Sequence, residues 1–438
     1  MRYLLIIFGI FIFSNLFSQT ESGYYDIELA YLNKQYDSVL VFSEQLLSKD
    51  SLNWKAYFYR GKAFSGKNKY FKALEVFEKA QTRDSANALI GNSLAEIYDF
   101  IGRDEDAIAI YYNQYLRDTM KMEPIVNLAN IFRKKREYGS AIFYYQRAVE
   151  LDPENFYYYK QLAFCYDKIN IPDGSIEYYN VALRMNPYDV MMYVQLANIL
   201  NSGRDFKSAL EVCEQGLSYY KDEHQLLKLK AYSLYLNKNF DASIVEFNNL
   251  LEKGDSSFFN LKYQGLAYYE KKNFENAIQS LKKAKEYNDQ DPETLFYLGS
   301  AHARDGNAEQ GVFNLYRSKR LLDPSPKEIS NIYSEIAFAY QEQEKYKLAL
   351  EFLKKAYKAE SSPILAFKMA QVNDYFLNDK KLAIDYYEGY LTMSNTPDSL
   401  LLDSNSRIKS SYADSAMVEN AKSRIRILKE EMFFEYVK

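Results

Sequence analysis

Two groups of side chains in this sequence could do recognition chemistry. The first is rich in amides: Asn127, Asn130, Gln161, Gln195, Asn198 and Asn201, with the cations Arg133, Lys134, Lys160 and Lys168 among them. A carboxamide both donates and accepts hydrogen bonds, so a row of amides can grip a peptide backbone whatever side chains it carries. The second is aromatic: Tyr232, Tyr235, Phe259, Tyr263, Tyr269, Phe296 and Tyr297. Such rings either pack between structural elements or, left on a surface, anchor a protein partner or stack on a sugar. Covalent and acid–base chemistry has no comparable basis. The 438 residues include two histidines, His224 and His302, and two cysteines, Cys165 and Cys213. Two cysteines make no disulfide framework, and both occupy apolar positions of the pattern below, as buried free thiols do. No CxxC or HExxH spacing offers a zinc site, and no GxxxxGK[ST] or GxGxxG loop offers a nucleotide site. No catalytic residue, metal or cofactor is expected, and the chain does not read as an enzyme.

What positions these groups is a repeat. Gly61 is followed at one constant interval by Ala95, Ala129, Ala163, Ala197, Ala231, Gly265 and Gly299. A second column, at the same interval, reads Ala73, Ala107, Ala141, Ser175, Ala209, Ser243, Ala277 and Gly311, every member small. Three positions after the first column lie Phe64, Tyr98, Phe132, Tyr166, Leu200, Leu234, Tyr268 and His302; four after the second lie Phe77, Tyr111, Tyr145, Tyr179, Cys213, Phe247, Leu281 and Leu315. Spacings of three and four keep residues on one helical stripe, so each period holds two amphipathic helices. Small residues let the pair approach closely, and large ones fill the space beside the crossing. Asp152-Pro153 and Asn186-Pro187 end two consecutive periods, where proline suits the first turn of the next helix. His302 thus falls in a core column and His224 at a junction, neither placed as a general base.

With Phe132, Tyr138, Ala141, Tyr145, Ala148 and Pro153 at these spacings, the chain resembles the tetratricopeptide repeat family. Tyr57, Gly61, Phe64, Ala73, Phe77 and Ala80 carry the same likeness. The resemblance implies an all-α, right-handed α-solenoid of about eleven helix-turn-helix repeats. A degenerate repeat would occupy 19–53, eight contiguous repeats 54–325, and two more 326–396, after a four-residue insertion around Pro324-Ser325-Pro326. A loop over 397–413 would lead to a capping helix over 414–438, with Ala421, Ile425, Leu428 and Met432 covering the last apolar face. The family also implies that the first helices line a concave groove with the face opposite their core stripe. Both groups of recognition residues fall on that face. A protein or peptide is the expected partner, and the rings raise the alternative of a glycan-binding or polysaccharide-export accessory protein. One form of the family clamps C-terminal carboxylates with paired Lys and Asn. Here Lys160 has Phe164 in place of that Asn, and Asn130 has Val126 in place of that Lys, so such recognition is not expected.

The formal net charge is −4, which argues against nucleic acid, since that partner needs a basic surface to displace counterions. Residues 1–18 read as a signal peptide: Arg2, an apolar run from Tyr3 to Phe13, and Ser18 before a cut leaving Gln19. The run is shorter than the ~20 residues a membrane span takes. The expectation is an exported chain with no transmembrane segment once mature. It would be periplasmic or extracellular and act in envelope assembly or secretion.

Overall fold

A computed structural model describes residues 24–322, 325–394 and 411–437, all of them helix, turn or connecting segment. The expected signal peptide, its cut before Gln19 and residues 397–410 of the expected loop lie outside the described residues. Eleven helix pairs are present among the described residues, followed by one long helix, an all-α repeat solenoid. The chain divides into two compact units, Met1–Ile199 and Leu200–Lys438. No described helix is long and apolar enough to cross a membrane. No described cluster of His, Cys, Asp and Glu could hold a metal ion.

In the first unit the pairs include Trp54–Gly66 with Tyr70–Arg83, Ala88–Phe100 with Asp104–Arg117, Met122–Lys134 with Tyr138–Leu151, and Phe156–Lys168 with Pro172–Met185. The second unit holds His224–Leu236 with Phe240–Glu252, Phe258–Glu270 with Phe274–Tyr287, and Pro292–Arg304 with Ala308–Leu321. It continues with Pro326–Glu342 and Tyr346–Ala359. The small columns make the crossings in both units. Ala129, Ala163, Ala231, Ala141 and Ala277 are fully buried. Where the second column carries serine, its hydroxyl is satisfied across the crossing. Ser175 Oγ donates to the Ala163 carbonyl at 2.7 Å, and Ser243 Oγ to that of Ala231 at 2.9 Å. A polar atom in a dry crossing costs little when it is bonded in this way.

The turn inside each pair depends on a backbone conformation that composition does not reveal. Lys34, Asn68, Gly102, Arg136, Asn170, Arg204, Lys238, Lys272 and Gly306 hold positive φ, each at the same point of its repeat. Glu344 and Asn378 continue the series after a longer helix. The left-handed residue lets the next backbone N–H reach back over the helix end: Glu137 N–H donates to Phe132 O at 2.9 Å, and Asn273 N–H to Tyr268 O at 3.0 Å. These bonds satisfy carbonyls that the helix terminus leaves without partners. Glycine adopts this conformation without the Cβ clash that other residues meet. Replacing Arg136 (φ 62°) with Gly should therefore raise stability by about 0.5–1 kcal/mol, once the greater freedom of glycine in the unfolded chain is offset. The denaturant midpoint reads this, and an unchanged or lower midpoint would show that Arg136 carries no strain.

The residue after the left-handed one opens the second helix. At four of these points in the second unit it is Asp205, Asn239, Asn273 or Asn307, whose side chains accept from the backbone N–H of Ser208, Ala242, Asn276 and Gln310. These caps help to fix where those four helices start. The four-residue insertion lengthens a helix rather than a joint: Pro326–Glu342 has 17 residues against 13 in Pro292–Arg304. Ser325 and Glu328 form a capping box that starts it.

The chain's last pair contains Pro363–Gln371, running into a π-helical turn Val372–Leu377, and Lys380–Ser394. Against it lies the terminal helix Ser411–Val437, with Ala421 and Leu428 buried beside Phe367, Tyr387 and Tyr390. Ile425 and Met432 are partly buried in the same cluster. The helix starts at Ser411, one turn earlier than the expected Asp414. Serine and aspartate favour the first turn of a helix as readily as a loop, so a polar stretch does not mark this boundary.

Candidate partner-binding face

Successive first helices touch one another: His224–Leu236 meets Phe258–Glu270, which meets Pro292–Arg304, which meets Pro326–Glu342; in the first unit Trp54–Gly66 likewise meets Ala88–Phe100. These contacts place the first helices on the inner side of each stack. Residues facing inward from one helix therefore meet those of the next repeat.

The amide group in the first unit is partly spent on internal bonds. Asn130 Oδ1 accepts from Tyr145 Oη at 2.6 Å and from Tyr157 Oη at 3.2 Å, the second across a repeat boundary. Its stripe predicts an Asn130 open to a ligand; the buried Tyr145 hydroxyl needs an acceptor, and Asn130 supplies it. Lys160 is ion-paired with Asp189. Arg133 lies over the Phe164 ring at 5.9 Å, and Lys168 over the same ring at 5.1 Å. Asn127, Gln161 and Gln195 are partly exposed, and Asn198 is exposed.

In the second unit Asn201 departs from its expected position. It is buried and donates from Nδ2 to Ser233 Oγ at 2.9 Å, so a partner does not reach it. The face expected to be open is closed at that point by the following repeat. The aromatic residues, by contrast, come together. Tyr232 meets Phe259 at 5.2 Å and Tyr263 at 4.7 Å between centroids, and Phe259 meets Tyr263 at 4.5 Å. Tyr235 meets Tyr263 at 5.4 Å. One repeat further, Tyr269 meets Tyr297 at 5.0 Å, and Tyr297 meets Phe296 at 5.4 Å. Most pairs are edge-to-face, the arrangement that ring quadrupoles favour. Each of these rings is partly exposed, so the ladder both packs between repeats and presents surface. Burial pushes the Tyr269 phenol up to about 12, and raises those of Tyr235, Tyr263 and Tyr297.

A frame of charges surrounds the ladder, and helical periodicity does not single it out. Lys262 is buried and paired with Asp291 at 3.0 Å and Glu293 at 2.8 Å. Burial works against its charge, but hydrogen bonds to Glu293 and Asp291 outweigh this and hold its ammonium above the usual range. Arg304 bonds both oxygens of Glu335, at 2.5 and 3.1 Å, while its guanidinium lies over Tyr269 and Phe338. Lys228 sits over Phe259 at 4.3 Å. The partners of Lys262 and Arg304 come from the following repeat, and that spacing of nearly one period is the one trace they leave in the sequence.

His302 is buried, and desolvation holds its imidazole below the ordinary range. Cys165 and Cys213 are buried and free, with thiols pushed by burial up to about 12, which leaves little thiolate for reaction.

Family models for the repeat match three stretches of the chain. Models described as "Tetratricopeptide repeat" match residues 126–155 and 330–363, and one described as "TPR repeat" matches 265–306. The chain is similar to the uncharacterized protein ycf37 of Cyanophora paradoxa, 31% identical over 137 residues, covering 31% of this chain and 74% of that protein. It is also similar to a BBSome complex member BBS4 homolog of Drosophila melanogaster, 24% identical over 168 residues, covering 34% of this chain. The match spans only 33% of that relative's length. Among solved structures, a tetratricopeptide repeat protein from Parabacteroides merdae aligns with a TM-score of 0.43 and 15% identity, over 63% of this chain and 98% of that one.

Proposed function

This chain belongs to the tetratricopeptide repeat proteins, and we propose that it is an interaction scaffold whose inner first-helix face holds a protein or peptide partner. The observation that carries this reading is the ladder Tyr232–Phe259–Tyr263–Tyr235 with Tyr269–Tyr297–Phe296. Rings that are held by their neighbours yet partly exposed lose little entropy on binding, which is why Tyr and Trp dominate binding hot spots. Their shared packing makes the ladder rigid before any partner arrives.

A photo-reactive phenylalanine analogue at Tyr232, compared with one at Val245, tests the face directly. Val245 is exposed on the second helix Phe240–Glu252. Capture of a partner from Tyr232 and not from Val245 supports the inner face; the reverse moves docking to the second helices. Exchange of Tyr232, Tyr235 and Tyr269 for Ala should lower stability, because each ring touches rings of its own or the next repeat. It should also abolish capture well below the variant's melting temperature, since truncating a hot-spot aromatic costs about 2 kcal/mol or more in binding. A folded triple variant that still captures the same partner would shift the site to the amide face of the first unit. Glycan titration is the control: saturation by a soluble glycan with no protein captured would replace the partner class.

The proposal includes an exported location and a part in envelope assembly or secretion, resting on the apolar run Tyr3–Phe13 and Ser18. Fractionation with N-terminal sequencing checks it. A chain starting near Gln19 outside the cytoplasm is expected, and intact Met1 in the cytosol removes the compartment.

A further inference from the structure

Position 91, in the first unit, breaks the repeat. Four residues before each other member of the first small column stands a large side chain: Tyr57, Ile125, Tyr159 and Tyr193, then Leu227, Leu261 and Leu295. The helix Ala88–Phe100 carries Gly91 there. Its paired helix departs in the opposite sense. Seven residues after the second column the other pairs carry Ala, Gly or Ser, apart from Leu250, whereas Asp104–Arg117 carries Gln114. The two exceptions face each other: a Cβ on Gly91 would stand 3.1 Å from Gln114 Nε2 and 3.6 Å from Ile110 Cγ2. Gln114 does not fill the space that the missing side chain leaves. A cavity of about 240 Å³ remains, with Gly91, Ile110 and Gln114 among its walls. Gln114 is also held in place and yet incomplete. Its Nε2 donates to Asn92 Oδ1 at 2.8 Å, and Asn92 in turn donates to Glu123 of the next repeat. Its Oε1 is buried and accepts from no group of the protein. An acceptor left so costs stability, and the amide cannot turn away without breaking its bond to Asn92. Gln81, Asn113 and Arg117 line the same cavity, and none of the three makes a side-chain hydrogen bond or ion pair among the described residues.

We propose that this cavity binds a carboxamide, the group that ends an Asn or Gln side chain, whether in a peptide segment or in the free amino acid. The bound amide N–H donates to Gln114 Oε1, and its carbonyl oxygen accepts from Arg117 or Asn113. A carboxylate has no proton to give Oε1, and an ammonium has no acceptor for Arg117 and is repelled by its charge. The cavity is smaller than the ~300 Å³ at which sites for drug-sized ligands begin, which suits a single side chain. The site is independent of the ring ladder, which belongs to the second unit.

Saturation-transfer NMR with the full chain tests this, using acetyl-Gly-Gln-Gly N-methylamide as the probe and the same peptide with Glu, Leu or Ser in place of Gln as comparators. The Gln peptide should bind about tenfold or more tighter than each comparator. Gly91→Leu combined with Gln114→Ala gives this helix pair the residues that other pairs carry. The closest atom to a Cβ at position 91 is the end of the Gln114 side chain, which the second exchange removes, so the double variant should fold with a denaturant midpoint at or above that of the parent and lose the Gln peptide. Gln114→Met keeps the bulk and removes the acceptor; it should weaken the Gln peptide about tenfold or more, and it decides the matter should the double variant prove unstable. Free L-glutamine, run against L-glutamate, separates the sources: binding of the free amino acid assigns the site to a small solute, and binding of the peptide alone assigns it to a segment of a larger chain. Either upholds the carboxamide. No binding, equal binding of all four peptides, or a preference for Gln that survives Gln114→Met would overturn the proposal and leave a cavity that holds only solvent.

Discussion

Exchanging Asp374 for Ala should destabilise the second unit by about 3–5 kcal/mol, the range seen when one member of a buried ion pair is removed. The Asp374 side chain is 1% exposed and lies in the π-helical turn Val372–Leu377. Arg424 of the terminal helix grips both of its oxygens, Nη2 at 2.7 Å and Nε at 2.8 Å, and Tyr387 Oη donates to Oδ2 at 3.1 Å. The bond to Asp374 holds the Arg424 guanidinium above its ordinary range. Without the carboxylate, a guanidinium and a phenol are left in the cluster that seats the helix, with no acceptor between them. Arg424 keeps 24% of its side chain in solvent, which favours the lower end of that range. Two further charged links between the helix and the last pair, Lys429–Glu388 and Lys380–Glu431, are half exposed on at least one side and contribute about 1 kcal/mol or less each. Hydrogen exchange should show Ser411–Val437 losing protection before any repeat of the second unit does. Asp374→Asn keeps the shape and one acceptor and should lose less. Protection of the terminal helix that is unchanged in Asp374→Ala would mean that its apolar stripe alone holds it in place.

Replacing Gly299 with Leu should cost about 3 kcal/mol, the upper part of the range for overpacking, whereas Gly139→Ala should be neutral or stabilising by up to about 1 kcal/mol. A Cβ on Gly299 would stand 2.8 Å from Leu315 Cγ, 2.9 Å from the Gly311 carbonyl oxygen and 3.0 Å from the Leu315 backbone nitrogen. Two of these three atoms are backbone of the paired helix Ala308–Leu321, so no side-chain rotation relieves the clash and the helices must separate. A Cβ on Gly139, in the helix Tyr138–Leu151, meets nothing within 4 Å. There the methyl only restricts the unfolded chain and favours the helix. Denaturant melts of the two variants should therefore move in opposite directions. Equal shifts would mean that the crossing at Gly299 is looser than its contacts indicate.

The sequence by itself determined the repeat. Small residues at Gly61 to Gly299 and at Ala73 to Gly311 recur because each helix pair meets the same steric demand at its crossing, and a local demand met again in every pair is visible as a period. The stripe Ala421, Ile425 and Leu428 was legible for the same reason, being a pattern within one helix. The positive-φ series was not. Lys34, Arg136, Arg204, Lys238 and Lys272 belong to it, and neither lysine nor arginine prefers that conformation as glycine or asparagine does. The hairpin imposes it, and only its interval of one repeat links the positions. The extra turn of Pro326–Glu342 was also hidden, since four added residues read equally as a longer loop. Helical periodicity puts Asn130 and Asn201 on the inner face, but it does not say how deep that face is once the next repeat is stacked on it. Tyr157, from the following helix pair, takes up Asn130, and Ser233 takes up Asn201. The same holds for the charges. Asp374 and Arg424 are far apart in the chain, and Lys262, Glu293, Arg304 and Glu335 pair across repeat boundaries. A side chain's periodicity follows from its own helix, whereas its exposure and its partner depend on side chains about one repeat away or more, and only the tertiary structure brings these together.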